Sequence, residues 1–331
     1  MATKGYNSYR GRASAWKRLL VVLLILTVVG SGVFLLCQNY LVYDGEGGVH
    51  LELPFFREEP LDDTDLGDVD LTIEKPQRPT IDVLQAQELP ADVLAGDVAG
   101  KLASMPNAVV IQIKQRDGKL TYYPGFATAN GVRTGDALST SKLKEILATD
   151  RYTVARISCF ADMAFAKADV EGASLQRDDK WLWYDDYASC WLDPAKEATL
   201  AYLQKICAEC AELGFDEILL ENFNYPMQGR LDRILGIGAV NKTQELTECL
   251  EGLRAQLPKI TALSVVLERN DPEKSGLAVQ LLEQFDRIYV DSGKVDVAQL
   301  TGQLSAEFDR DTRLVSMVRT APESGSYLLI Q

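Results

Sequence analysis

From residue 80 onward, short apolar runs alternate with longer stretches in which apolar residues return every third or fourth position. The runs are Ile81–Gln85, Ala108–Lys114, Tyr152–Phe160, Glu217–Phe223, Thr261–Glu268, Arg287–Ser292, Arg313–Val318 and Tyr327–Ile330. Most do not alternate with polar residues, the pattern of strands covered on both faces. Helical periodicity predicts Leu94–Ser104, Lys142–Thr149, Pro194–Leu213, Gln244–Leu257, Gly276–Phe285 and Val297–Phe308. Pro194–Leu213 is the clearest, with Asp193 as cap, Pro194 in the first turn and Gly214 at the end. Eight strands joined by helical crossovers over about 250 residues predict an α/β fold of the (β/α)8 barrel type, with a doubly wound open sheet as the alternative.

Two insertions break this rhythm. "QRDGKLTYYPGF" places Asp117-Gly118 between strand-like arms, a hairpin signal. "RDDKWLWYDDYASCWLDP" packs Trp181, Trp183, Tyr184, Tyr187 and Trp191 among aspartates. Both follow strands, so in a barrel they lie on the face where active sites form.

The N-terminal part reads differently. Leu19–Cys37 carries no charge, and ~19 helical residues at ~1.5 Å each span the hydrocarbon layer of a bilayer. Lys4, Arg10, Arg12, Lys17 and Arg18 precede it and no acid does; Asp44 and Glu46 follow. The charge bias predicts a single-pass membrane protein, N-terminus cytoplasmic and C-terminal part extracellular. A cleaved signal peptide has similar flanks, but the apolar run is long and no small-residue cleavage site follows it. Leu36 before Cys37 departs from lipoprotein processing. The stretch up to Pro79 is rich in Asp, Glu, Gly and Pro and reads as an extended stalk. The expected organisation is a basic cytoplasmic segment at 1–18, a membrane helix at 19–37, an acidic stalk at 38–79 and a barrel at 80–331.

Charge and composition narrow the chemistry. All 48 Asp and Glu follow the anchor, as do all but five of the 34 Lys and Arg, leaving the exterior part near −19. That argues against nucleic acid or anionic lipid as its partner. The single histidine, His50, lies in the stalk. A Ser-His-Asp triad, a Cys-His dyad and a His-ligated zinc site in the folded domain are thereby excluded. No G-x-G-x-x-G follows the first strand and no phosphate-binding loop occurs. Cys207 and Cys210 fall on the apolar spacing of a helix and read as core residues. No cofactor or metal is expected.

With no histidine, acid–base work falls to carboxylates. Strand C-terminal ends converge on one mouth of a barrel, and here they carry Gln112, Lys114, Asp162, Glu221, Asn224, Glu268, Asp291 and Arg319. Paired carboxyls beside Trp and Tyr are the equipment of a glycosidase: the rings stack on sugars, one acid protonates the leaving oxygen, the other acts as nucleophile or base. Glu221, Glu268 and Asp291 are the candidate catalytic carboxylates. Gln112, Lys114, Asp162, Trp181, Trp183, Trp191, Asn224 and Arg319 are the candidate substrate-binding residues. Each has a structural reading too: Glu221 as partner of a Lys or Arg such as Lys114, Asp162 as a helix cap, Asp291 as a turn residue, Glu268 as a solvated loop residue, the aromatics as a lid.

The blocks "NAVVIQIKQRDG" (Asn107–Gly118), "ARISCFAD" (Ala155–Asp162), "WLDP" (Trp191–Pro194) and "CAELGFDEILLENFNYP" (Cys210–Pro226) resemble, in order and spacing, those of the glycoside hydrolase-like family once catalogued as domain of unknown function 4015. The resemblance spans roughly residues 81–226. It implies an exported (β/α)8 glycosidase-like barrel with a sugar polymer as substrate. The chain departs from the family pattern at Gln112 and Gln115, where the family has acids, and at Asn224, where it has arginine. The family's motif after strand 6 is replaced by "IYVDSGKVD". Glu221 keeps the family's strand-4 acid, one methylene longer. Three functions fit: a membrane-anchored extracellular glycoside hydrolase, a non-catalytic glycan-binding barrel, and a structural ectodomain of an envelope assembly.

Overall fold

In this computed structural model the described residues are 81–89, 105–122, 124–125, 133–138, 140–269 and 271–330, with residues 41–43, 49–51 and isolated positions elsewhere. The chain divides into two compact units, Met1–Glu74 and Lys75–Gln331. In the first, Leu41–Tyr43 and Val49–Leu51 pair antiparallel. The predicted stalk therefore contains a short β-ribbon, because two β-prone triplets stand either side of five turn-favouring residues, Asp44 to Gly48. The expected membrane span, 19–37, lies outside the described residues except for Leu20, Leu23, Leu24 and Thr27, which are helical. Among the described residues no helix is long and apolar enough to cross a membrane.

The second unit is a closed barrel of eight parallel strands. In chain order they are β1 (Gln85–Glu88), β2 (Ala108–Lys114), β3 (Tyr152–Ser158), β4 (Glu217–Glu221), β5 (Ala262–Leu267), β6 (Ile288–Asp291), β7 (Leu314–Val318) and β8 (Tyr327–Leu329). Each pairs with the next, and β8 pairs with β1 to close the ring. The open-sheet alternative is thereby removed. β1 begins four residues later than predicted, because Leu84 and Ala86 alternate inward with polar residues between them and break the apolar run. The Asn107 side chain pins its start, accepting from the Gln85 amide at 3.0 Å and donating to the Val83 carbonyl at 3.2 Å.

The helices on the outside are α1 (Thr140–Leu147), α2 (Met163–Ala168), α3 (Glu197–Leu213), α4 (Lys242–Gln256), α5 (Pro272–Ser275), α6 (Val279–Leu282), α7 (Val297–Gln303) and α8 (Arg310–Arg313). α3 starts three residues after the predicted Pro194: the Asp193 carboxylate accepts from the Ala195 amide at 3.1 Å, closing a separate turn. Of the predicted helix 276–285 only α6, Val279–Leu282, forms; α5 ends just before it and Gly276 breaks the chain between them at φ 82°. Two cores result. One fills the barrel with Leu84, Val110, Val154, Leu219, Val266 and Val315; the other lies between the strands and the helices.

A bulge in β2 decides where its end points. Gln112 pairs with Arg156 but Lys114 pairs with Ile157, so the register slips by one residue between them. Simple alternation would put Gln112 and Lys114 on the same face. The slip instead aligns Lys114 with Ile157, a residue of the outer core. There the Lys114 ammonium meets Asp162 at 2.8 Å, with both side chains fully buried, and donates to the Ser158 carbonyl at 2.5 Å. Asp162 also caps α2, its Oδ1 accepting from the Phe165 amide at 2.8 Å. The predicted hairpin is present: β2 turns at Asp117-Gly118 and returns as Leu120–Tyr122. Gly118 has φ 85°, and a Cβ there would fall 2.0 Å from Asp162 Oδ1, so the hairpin tip packs directly on the buried pair.

Removing one partner of a buried pair leaves the other charged and unpaired, at a cost of about 3–5 kcal/mol. Asp162→Asn keeps the cap and removes the charge, so it is expected to lower stability by that amount in urea unfolding of the full chain. Adding Lys114→Met should recover more than half of the loss. An Asp162→Asn protein that unfolds at the parent's midpoint contradicts this account of the pair.

Candidate active site

The mouth of the barrel is closed by charged residues where β1, β3, β4 and β5 end. Arg156 on β3 and Glu221 on β4 project to the interior, and their side chains meet in a two-point clasp, Nη2 to Oε1 at 2.6 Å and Nε to Oε2 at 3.2 Å. Glu88 at the end of β1 approaches the same guanidinium at 3.5 Å. Burial works against the charge on Arg156, but Glu221 and Glu88 outweigh it and hold its pKa above the ordinary value. The fork-on-carboxylate geometry fixes the orientation of Glu221 as well as its charge. Directly after it, Asn222 takes a left-handed conformation, φ 51°, with its side-chain oxygen accepting from the Ser158 hydroxyl at 2.9 Å. The chain turns sharply there, which ends the strand on the carboxylate.

Glu268 follows β5 by one residue. The register places Leu220 beside Val265, so Glu268 sits on the neighbouring strand, one inward-facing step above Glu221. From strand spacing and rise that is about 8 Å between Cα positions. Its pKa is raised, first by burial and then by the negative charge of Glu221, against the pull of Lys294, Arg116 and Arg156. Two neighbouring carboxyls thus have opposite surroundings: Glu221 is clasped by a cation, Glu268 is pushed towards its protonated form.

Glu268 faces a cleft of about 440 Å³ whose wall also includes Arg116, Tyr187, Trp191, Asn224 and Lys294. One side of the wall comes from the aromatic insertion, which folds into antiparallel bridges such as Ser174 with Leu192 and Tyr184 with Cys190. Asp185 organises it. Its carboxylate accepts from the amides of Tyr187 and Ser189 at 2.9 Å each, from Trp191 Nε1 at 3.0 Å and from Arg116 Nη2 at 2.6 Å. Arg116 comes from the hairpin after β2 and lies over the rings of Tyr187 and Trp191 at 5.7 and 5.5 Å. The hairpin and the insertion therefore meet across one ion pair at the cleft edge.

The structure brings some of the expected residues together and removes others. Glu268, Asn224 and Trp191 line the cleft, and Glu221 lies below them in its clasp with Arg156, not Lys114. Gln112 is part-buried at the mouth and donates to the Lys114 carbonyl at 2.7 Å. Asp291 is paired with Lys294 at 2.8 Å and accepts from the Gly293 amide at 3.1 Å, as a turn residue does. Five expected site residues need correction. Lys114 and Asp162 are fully buried against each other because of the β2 bulge, so neither reaches the mouth. Trp183 is a core residue, 1% exposed, with Nε1 bonded to the Arg230 carbonyl at 2.9 Å. Trp181 is 67% exposed on the outer side of the insertion and Arg319 is exposed beyond β7; neither lines the cleft. Arg156, Arg116, Asp185 and Arg269 were not anticipated. Arg156 was legible as a lone arginine in the apolar run "YTVARIS"; Arg116 and Asp185 depend on a contact between loops far apart in sequence.

A family model described as "Putative glycosyl hydrolase domain" matches residues 101–268. No curated protein matches the chain. Among solved structures, it is similar to a hypothetical protein from Ruminiclostridium thermocellum, at 25% identity over 54% of this chain and 96% of that one, with a TM-score of 0.47. The glycoside hydrolase domain of PelA from Pseudomonas aeruginosa aligns at 15% identity over 71% and 83%, TM-score 0.44. An alpha-amylase from Lactobacillus plantarum aligns at 13% identity over 71% and 61%, TM-score 0.45.

The raised pKa of Glu268 has a consequence for stability. A carboxyl that binds its proton more tightly when folded imposes no penalty below the unfolded-state value, near 4.5, and a growing one as pH rises through the folded value. Glu268→Gln should therefore melt at a higher temperature than the parent at pH 8, with the difference vanishing as pH falls below 4.5. A difference independent of pH, or of opposite sign, contradicts the assignment.

Proposed function

Since the chain belongs to the family described as "Putative glycosyl hydrolase domain", we propose that it is a glycoside hydrolase acting on a polysaccharide outside the cell, held at the membrane by its N-terminal segment. The observation that carries the reading is a pair of carboxyls on neighbouring strands in contrasting surroundings, Glu221 clasped by Arg156 and Glu268 with its pKa raised by burial and by Glu221. Glycosidic cleavage needs one protonated acid at the leaving oxygen and one carboxylate on the opposite side of the sugar ring. Glu268, desolvated and facing Glu221, has the surroundings of the acid. Glu221, oriented by Arg156, has those of the carboxylate. Tyr187 and Trp191 offer ring faces to sugars at the cleft wall. Glu268 would pass its proton to the departing oxygen, while Glu221 meets the positive charge that develops at the anomeric carbon or activates water against it.

A second reading has one specific observation in its favour. Both oxygens of Glu221 are engaged by Arg156, and a carboxylate so engaged can serve as architecture under a glycan-binding groove. The two readings separate on product. Full-length protein in a detergent without a sugar headgroup is incubated with bacterial and plant polysaccharides and new reducing ends are followed. The hydrolase reading expects release, with Glu268→Gln and Glu221→Gln each lowering kcat about 10²–10⁴-fold. Binding without release, or release unchanged in both variants, rejects it.

The topology reading rests on the charge asymmetry around residues 19–37. It expects the C-terminal part to be degraded when protease is added to intact cells, and the protein to stay in the membrane fraction after a high-salt wash. Protection from external protease would contradict it.

A further inference from the structure

Much of the charge around the cleft is engaged within the protein. Arg116 holds Asp185 at 2.6 Å and Lys294 holds Asp291 at 2.8 Å. Arg269 is occupied by the Gln228 amide, whose oxygen, turned towards the guanidinium, accepts from Nη1 at 3.1 Å and from Nη2. Beside these groups stand two neutral side chains, Asn222 and Asn224, which line the same cleft and come from the segment directly after β4. Both are more than nine-tenths buried, at 4% and 6% exposure.

Each amide is half used. Asn222 Oδ1 accepts from the Ser158 hydroxyl at 2.9 Å, which leaves Nδ2 as a donor. Asn224 Nδ2 donates to the Tyr225 carbonyl at 2.7 Å, which leaves Oδ1 as an acceptor. Among the described residues neither free end meets a partner and neither is sealed in the interior, so both open on the cleft. The residues around them fix their direction. Phe223 turns into the outer core, against Phe160 and Phe285 at ring-centroid distances of 5.1 and 5.7 Å. The Tyr225 amide is tied to the Ser275 carbonyl at 2.9 Å. The left-handed backbone of Asn222, φ 51°, is uncommon outside glycine and clusters at ligand sites.

With their Cα atoms at most about 7 Å apart, two hydrogen bonds of about 2.9 Å can converge on one ring substituent of a sugar. A donor and an acceptor offered together fit a group that both accepts and donates. A hydroxyl or an acetamido group does so. A carboxylate has no proton to give, and an ammonium has no lone pair to receive one. Building on the glycosidase reading of the same cleft, we propose that Asn222 and Asn224 form a donor–acceptor pair that selects a neutral sugar by one such substituent. The substituent accepts from Asn222 Nδ2 and donates to Asn224 Oδ1.

The test is binding, independent of cleavage. Full-length protein in detergent without a sugar headgroup is titrated with cellohexaose, maltohexaose, the hexamer of N-acetylglucosamine and its de-N-acetylated form. Binding is followed by tryptophan fluorescence, since Trp191 lines the cleft. Asn222→Gly removes the donor and keeps the backbone, because glycine adopts a positive φ freely. Asn224→Ala removes the acceptor and leaves the residue next to Glu221 intact. With melting curves like the parent's, each variant should bind the parent's tightest ligand about ten-fold more weakly. An effect confined to the N-acetylated hexamer assigns the substituent as acetamido; an effect shared by the glucose oligomers assigns it as hydroxyl. Unchanged affinity in either variant overturns the proposal, as does preferred binding of the de-N-acetylated form. Variant-sensitive binding with no reducing ends released leaves this proposal standing and removes the hydrolase reading. Release of reducing ends with unchanged affinity in the variants does the reverse. Binding of none of these oligosaccharides overturns the proposal, while the hydrolase reading still rests on reducing-end release.

Discussion

The clasp between Arg156 and Glu221 is the interaction around which the mouth is arranged. It joins β3 to β4 at the level where the strands end, draws in Glu88 from β1, and fixes one carboxylate in place beneath the cleft. It also sets the field felt by Glu268 on β5. Burial raises the pKa of Glu268 most, the charge of Glu221 adds to the rise, and Lys294, Arg116 and Arg156 oppose it. An arginine with one carboxylate would be an ion pair of modest interest; here a second, desolvated carboxyl one strand away gives two like groups contrasting surroundings.

The periphery is built on the same economy of charge. Asp185 collects four donors and so shapes the aromatic insertion, while its partner Arg116 ties that insertion to the hairpin after β2. The hairpin is anchored in turn on the buried pair of Lys114 and Asp162. Ion pairs thus run from the outer core to the rim of the cleft, where Lys294 holds Asp291. At the opposite end of the barrel Arg287 and Glu217 form another buried pair at 2.6 Å, with Tyr152 bonded to the same guanidinium at 3.1 Å. It closes the floor.

Much of the fold was legible because parallel barrel strands are covered on both sides and read as unbroken apolar runs. β2 and the starts of β3 and β4 fall where those runs do, with β3 and β4 each ending two residues earlier. β1 did not, because its Gln85, Gln87 and Glu88 are polar and its strand character comes from two neighbours, β2 and β8. At the site, Glu268 and Glu221 could be picked out as acids at strand ends. Lys114 was misplaced because a one-residue bulge is invisible to a period-two reading. Trp183 and Trp181 have the same spacing cues, yet one is core and the other surface, since the insertion folds on itself and not on a repeating element. The pairing of Arg116 with Asp185 joins residues far apart in the chain, and no local pattern encodes it.

The central claim is that burial and the charge of Glu221 together raise the pKa of Glu268. Site-resolved carboxyl titration by carbon-13 NMR, with glutamate labelled and Glu268→Gln used for assignment, addresses it most directly. The account predicts one glutamate, Glu268, that keeps its proton above the ordinary range near ~4.3, and a fall in its midpoint in Glu221→Gln. Titration of Glu268 in the ordinary range, or a raised midpoint that Glu221→Gln leaves unmoved, would contradict it.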